Sequence, residues 1–139
     1  MDKEKIAAKL KEMKSYLSEL REIAPETLES YLQEDIRRRA CERLLQISVE
    51  SVIEISSEIV KGLDVEFISD EEDIFEKLKK KKVISEKLSL ALKKMKGFRN
   101  ILVHRYGEVD DREVFSFIEN DLEDFEKFKK EILGFLKKK

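Results

Sequence analysis

The chain holds a single histidine, His104, five residues after Arg99 and two before Tyr106, in the stretch KGFRNILVHRYGEVD at 96–110. Imidazole titrates near neutrality and can exchange a proton with a hydroxyl, while guanidinium presents a rigid fork of donors matched to phosphate oxygens. Together they suit cleavage of a phosphodiester. In RNA the 2′-hydroxyl is a nucleophile carried by the substrate. A histidine acid or base and an arginine to hold the developing charge would then serve without a metal. Asn100 can add a donor. Tyr106 can stack on a base, donate to a phosphate or accept a modifying group. Each has a plainer reading: His104 as a hydrogen-bonded core residue, and Tyr106 as a half-buried tyrosine with its hydroxyl in water.

These side chains ride on one of several amphipathic helical patterns. Ile6, Leu10, Met13, Leu17, Leu20 and Ala24 recur at spacings of three and four and predict a first helix that stops near Pro25. A longer pattern starts near Leu28 and runs through Ile36, Ala40, Leu44, Ile47, Val52, Ile55, Ile59 and Leu63. Leu45, Val49, Ile53, Ser56 and Val60 widen its apolar face, which marks a central or interface-forming helix. Gly62 and the acidic SDEED segment end it, and Ser69 or Asp70 is placed to cap a short helix around Ile74 to Leu78. Ile84, Leu88, Ala91, Met95, Phe98 and Leu102 form the stripe that leads into the histidine, with Gly107 as a stop. Phe115, Ile118, Leu122, Phe125, Ile132 and Leu136 form the last region, with a possible break near Asn120. The expected fold is all-α, an up-and-down antiparallel bundle of four to five helices formed by residues 1–139 as one domain.

On an ideal helix His104 points about 160° from its own apolar stripe, while Arg99 and Tyr106 lie about 60° and 40° from the stripe's centre. Arg99 and His104 are then about 140° apart. They converge on one ligand only if the helix bends or starts near Gly97, or if a second subunit completes the site.

Composition narrows the alternatives. Charged residues make up 43% and hydrophobic ones 41% of 139 residues, with one proline and four glycines, as in a helical bundle with a charged exterior. The net charge of −2 exerts no global pull on nucleic acid, and the basic run Lys77 to Lys82 reads first as a solvated helix end. One cysteine, Cys41, allows no internal disulfide, and with one histidine it makes no zinc site of the usual kind. A cytoplasmic location is expected from this and from the lack of a signal-like or membrane-spanning apolar run. Phosphate-loop, dinucleotide and zinc-protease motifs are absent.

RNILVHRY, Arg99 to Tyr106, resembles the R-x4-H-x-Y signature of HepT-like toxins, members of the HEPN superfamily of small helical ribonucleases. DIRRRACERLLQISVESVIEIS (35–56) resembles that family's long second helix, and MKGFRN before the signature and DLEDFEKFKKEI after it are similar in style. The resemblance implies a homodimer with two signature helices facing across a cleft. It implies metal-independent RNA cleavage by His104 as acid or base and Arg99 as phosphate clamp, with Asn100 supporting and no cofactor. It also implies a partner antitoxin, an MntA-type minimal nucleotidyltransferase that transfers AMP from ATP to Tyr106. Asp35, Arg38 and Glu42 fall in the second-helix segment as supporting or cleft-lining residues. The other reading is a non-catalytic, nucleotidyltransferase-associated module that presents Tyr106 or binds a nucleotide and cuts nothing.

Overall fold

A computed structural model describes residues 1–63 and 74–138, all of whose regular structure is helical. Helix α1 (Lys3–Ile23) begins where Asp2 accepts from the Lys5 N–H at 3.0 Å. It stops at Ala24, extended at φ −62° and ψ 127°, as the residue before a proline is constrained to be. Ile6, Leu10, Met13, Leu17 and Leu20 are all buried, and this stripe lies along the long helix α3.

The pattern expected to run unbroken from Leu28 is two helices, α2 (Leu28–Gln33) and α3 (Asp35–Gly62), divided at Glu34. Two arginines take the place of helical partners at the joint. Arg37 Nε donates to the Ile23 carbonyl at 2.9 Å, and Arg38 Nη1 donates to the Leu32 carbonyl at 2.8 Å. Guanidinium groups thus satisfy carbonyls that helix ends leave open. Ile36, assigned to the core stripe by its spacing, is 83% exposed because it falls in the first turn beyond this break. Further along, α3 is buried on more than one side, through Cys41, Leu45, Val49, Val52, Ile53, Ile55, Ile59 and Val60. Burial pushes the Cys41 thiol up to about 11, so it is a core residue with no thiolate at neutral pH.

Helix α4 (Ile74–Lys80) forms where expected, while its proposed caps Ser69 and Asp70 lie outside the described residues. Its carboxylate Glu76 joins Lys79 at 2.7 Å and Lys93 of the next helix at 2.8 Å. Helix α5 (Glu86–His104) starts at Ser85, whose hydroxyl accepts from the Leu88 N–H at 3.2 Å. A 3-10 turn (Tyr106–Glu108) follows, then α6 (Asp111–Asn120) and α7 (Glu123–Lys137), split near Asn120 as the pattern suggested. Phe98 meets Phe117 at a centroid distance of 5.3 Å, and Phe117 meets Phe125 at 6.4 Å, which joins α5, α6 and α7 through aromatic edges. Helix α5 therefore packs against α3 and α7, and the end bearing His104 emerges beside α3.

Candidate active site

The signature residues are positioned by one helix end and one neighbouring helix. Arg99, Asn100 and His104 belong to α5; Tyr106 lies just past its end. The stop is not at Gly107. Helix α5 ends at Arg105 (φ −134°, ψ 46°), and no glycine among the described residues has positive φ. Because Tyr106 sits in a 3-10 turn, the angle drawn for it on an ideal helix does not apply, and its hydroxyl reaches back onto α3.

Arg99 is held rather than free. Its Nε is 3.3 Å from Glu50 Oε2 on α3, and its Nη1 donates to Asn100 Oδ1 at 2.8 Å. Gln46 donates to the same Glu50 oxygen at 3.2 Å. Asn100 was expected to act as a donor toward substrate; here its carbonyl oxygen accepts from Arg99 and steadies the fork. His104 is exposed and meets no hydrogen-bond partner among the described residues, so the core-histidine reading fails. Both residues lie on one continuous helix, so they leave it in directions about 140° apart.

Tyr106 is 56% exposed, yet its hydroxyl donates to Glu42 Oε1 at 2.9 Å. Glu42 is only 6% exposed. Burial pushes its carboxyl upward, with the negative charge of Asp111 adding to the rise, while the Tyr106 hydrogen bond, Arg38 and Arg39 oppose it. The phenol in turn is held above its ordinary value, chiefly by the bond to Glu42 and then by burial, against the pull of Arg39. Beside this pair is a pocket of about 180 Å³ lined by Arg39, Glu42, Arg43, Gln46, Leu102 and Tyr106.

Of the three supporting residues expected on the second long helix, only Glu42 touches a signature side chain. Arg38 pairs with Asp35 at 2.9 Å and Asp111 at 3.6 Å and braces α2, α3 and α6. Sequence reasoning missed Glu50, Gln46, Arg39 and Arg43. Part of their signal was present: Glu42, Gln46 and Glu50 recur every fourth residue, a spacing that Glu54 and Glu58 continue. Among the described residues no group of histidine, cysteine and carboxylate side chains could hold a metal ion, and no helix is long and apolar enough to cross a membrane.

The all-helical fold is that of the HEPN class, and on it Arg99 is held by a carboxylate, His104 is exposed and Tyr106 lies just past the end of α5. The chain belongs to the ribonuclease HepT-like family, whose model matches residues 13–132. It is 27% identical over 131 residues to the tRNA nuclease HepT of Aphanizomenon flos-aquae, covering 94% of this chain and 89% of that protein. A relative from Archaeoglobus fulgidus is 43% identical over 75 residues, covering 54% of this chain and 56% of that protein, so the match spans little more than half of that relative's length. In structure the chain is similar to a tri-AMPylated Shewanella oneidensis HEPN toxin in complex with MNT antitoxin. The TM-score is 0.86 at 28% identity, with 93% of this chain and 96% of that chain covered.

Proposed function

We propose that the protein is the toxin of a toxin–antitoxin pair, an endoribonuclease that cuts RNA without a metal in a cleft between two copies of the chain. The observation that carries this reading is that Arg99 and His104 lie on one continuous helix, where five residues of ideal helix set them about 140° apart. A two-fold axis beside α5 would set the histidine of one copy opposite the arginine of the other. His104 then exchanges the proton of the 2′-hydroxyl or of the leaving oxygen, and Arg99 holds the charge that gathers on the phosphate. The tRNA nuclease name of the full-length relative supports RNA as the substrate. The antitoxin-bound, AMP-modified neighbour supports a nucleotidyltransferase partner and Tyr106, exposed beside the site, as the AMP acceptor. An added adenylate would bring negative charge and bulk to a place built for RNA phosphate.

The test is RNA cleavage in EDTA by protein whose intact mass shows an unmodified Tyr106. Wild type cuts; His104→Ala and Arg99→Ala do not. Because His104 is exposed and unpartnered among the described residues, its replacement shifts stability by no more than about 0.5 kcal/mol. Cleavage that survives both substitutions removes the reading.

A second reading has its own observation in its favour: the Arg99 fork is already committed to Glu50 and Asn100, as in a structural arginine. On that reading the chain is a nucleotidyltransferase-associated module that presents Tyr106 and cuts nothing. It predicts a tight complex with the partner and no cleavage by the free, unmodified protein.

A further inference from the structure

We propose that Glu42 is the catalytic base for adenylylation of Tyr106: its Oε1, 2.9 Å from Tyr106 Oη, takes the phenolic proton as that oxygen attacks the α-phosphorus of ATP. This rests on Tyr106 being the acceptor. In the step the bond from Oη to the α-phosphorus forms. The bond from the α-phosphorus to the oxygen bridging toward the β-phosphorus breaks, and pyrophosphate leaves with the electron pair. The proton passes to Glu42 and then to water.

Three observations converge on it. A tyrosine hydroxyl is a weak nucleophile while protonated, and the environment of Tyr106 keeps it so, since its phenol is held above its usual value. The acceptor of its proton is in place before any nucleotide arrives. Glu42 is buried to 6% exposure, which raises its affinity for a proton above that of an ordinary carboxylate. Arg39 and Arg43 stand one turn before and one residue after Glu42 on α3 and line the same pocket, where the charge of incoming phosphates would fall. The groups acting on Glu42 are thus Arg38 and Arg39 on its own helix, Asp111 at the start of α6 and Tyr106 itself. Arg38 is paired with Asp35 and Asp111 rather than with Glu42, whose Oε1 accepts from the phenol.

The experiment is AMP transfer from ATP by the partner nucleotidyltransferase to the full chain, followed by intact mass and by mass of the peptide containing Tyr106. Glu42→Gln keeps an oxygen that accepts from the phenol but cannot take its proton. Its transfer rate is expected to fall by about a hundredfold or more, with partial recovery at alkaline pH as phenolate forms unaided. Tyr106→Phe is expected to take up no AMP. Transfer to Glu42→Gln within about threefold of wild type overturns the base while leaving the acceptor standing. Labelling of wild type at a residue other than Tyr106, or none, overturns the acceptor and the base with it. A second measurement needs no variant. Single-turnover AMP transfer to wild type is expected to run about twofold slower in D2O than in H2O, because the phenolic proton is in flight as the oxygen attacks. No solvent isotope effect overturns the proposal even if Glu42→Gln does not fold.

Discussion

Glu50 Oε2 takes Arg99 Nε at 3.3 Å and Gln46 Nε2 at 3.2 Å, so one carboxylate oxygen on α3 sets the direction of the guanidinium on α5. Arg99 is only 19% exposed by side chain, and it lines a pocket together with Glu50, Ile53 and Ser57. A clamp of this kind acts through orientation. Glu50→Ala frees the fork without removing its charge, and RNA cleavage is expected to fall by about ten- to a hundredfold, because small displacements of a positioning group weaken the stabilisation of the transition state steeply. Arg99→Lys is expected to be nearly as inactive as Arg99→Ala, since a point charge cannot keep the bond to Glu50 and grip a phosphate with two parallel donors. Single-turnover cleavage of a defined RNA would measure both.

The angular separation of Arg99 and His104 makes a sharper prediction about assembly. If each cut is made by the arginine of one copy and the histidine of the other, an inactive Arg99→Ala chain mixed with an inactive His104→Ala chain regains one intact site per mixed dimer. With free exchange about half the dimers are mixed, so the mixture should reach about a quarter of wild-type activity. A chain carrying both substitutions, mixed with wild type, makes mixed dimers with no intact site. The wild-type homodimers, about a quarter of the total, give this second mixture about a quarter of wild-type activity as well, so the two mixtures are expected to match; no activity in the first with about half in the second would place arginine and histidine on the same copy.

How far the sequence led can be traced residue by residue. The stripe of α1 was legible from Ile6 through Leu20, because those residues alternate spacings of four and three and a proline marks the end; Ala24, the last of the expected stripe, lies just past the helix and is half-buried. The end of α5 was not, because Gly107 carries a stop signal and the helix halts earlier, at Arg105. The division at Glu34 left no local mark either, since what stabilises it is two arginines reaching carbonyls of Ile23 and Leu32 from beyond the break. The four signature positions were visible as a motif. The carboxylates that grip two of them could not be singled out, because Glu42 and Glu50 are two among 31 acidic residues, and Glu54 and Glu58, which pair with Lys9 and Lys5 on α1, continue the same fourfold spacing.

Tyr31 is buried completely, its ring 5.4 Å from Phe115, and its hydroxyl has no hydrogen-bond partner among the described residues. Burial, then the charge of Glu42, drives its phenol far above the ordinary value. A buried hydroxyl without a partner is a cost that removal relieves. Tyr31→Phe keeps the ring contact and is expected to leave the protein as stable as wild type or more so, by up to about 1 kcal/mol, read as a higher urea midpoint at unchanged slope. A loss of stability would mean that the hydroxyl is bonded in solution.

Glu42 supplies the pH dependence. Burial is the main reason its carboxyl is raised, and Asp111 adds to it. A carboxyl raised in the folded state binds its proton more tightly folded than unfolded. Between the unfolded value, about 4.3, and the higher folded value, the native chain holds more protons than the unfolded one, so stability falls as pH rises through that window. Above the folded value the loss is complete and constant. Glu42→Gln has no such ionisation, and its amide oxygen still accepts from Tyr106. Relative to wild type, the variant is therefore expected to gain stability as pH rises above about 4.3, with the gain levelling off once wild-type Glu42 is fully ionised. Urea midpoints of the two proteins across that range would show a widening gap that then flattens. A gap independent of pH would mean that Glu42 ionises in the folded chain as it does in the unfolded one. The hydrogen bond from Tyr106 and the pull of Arg38 and Arg39 would then have cancelled the desolvation.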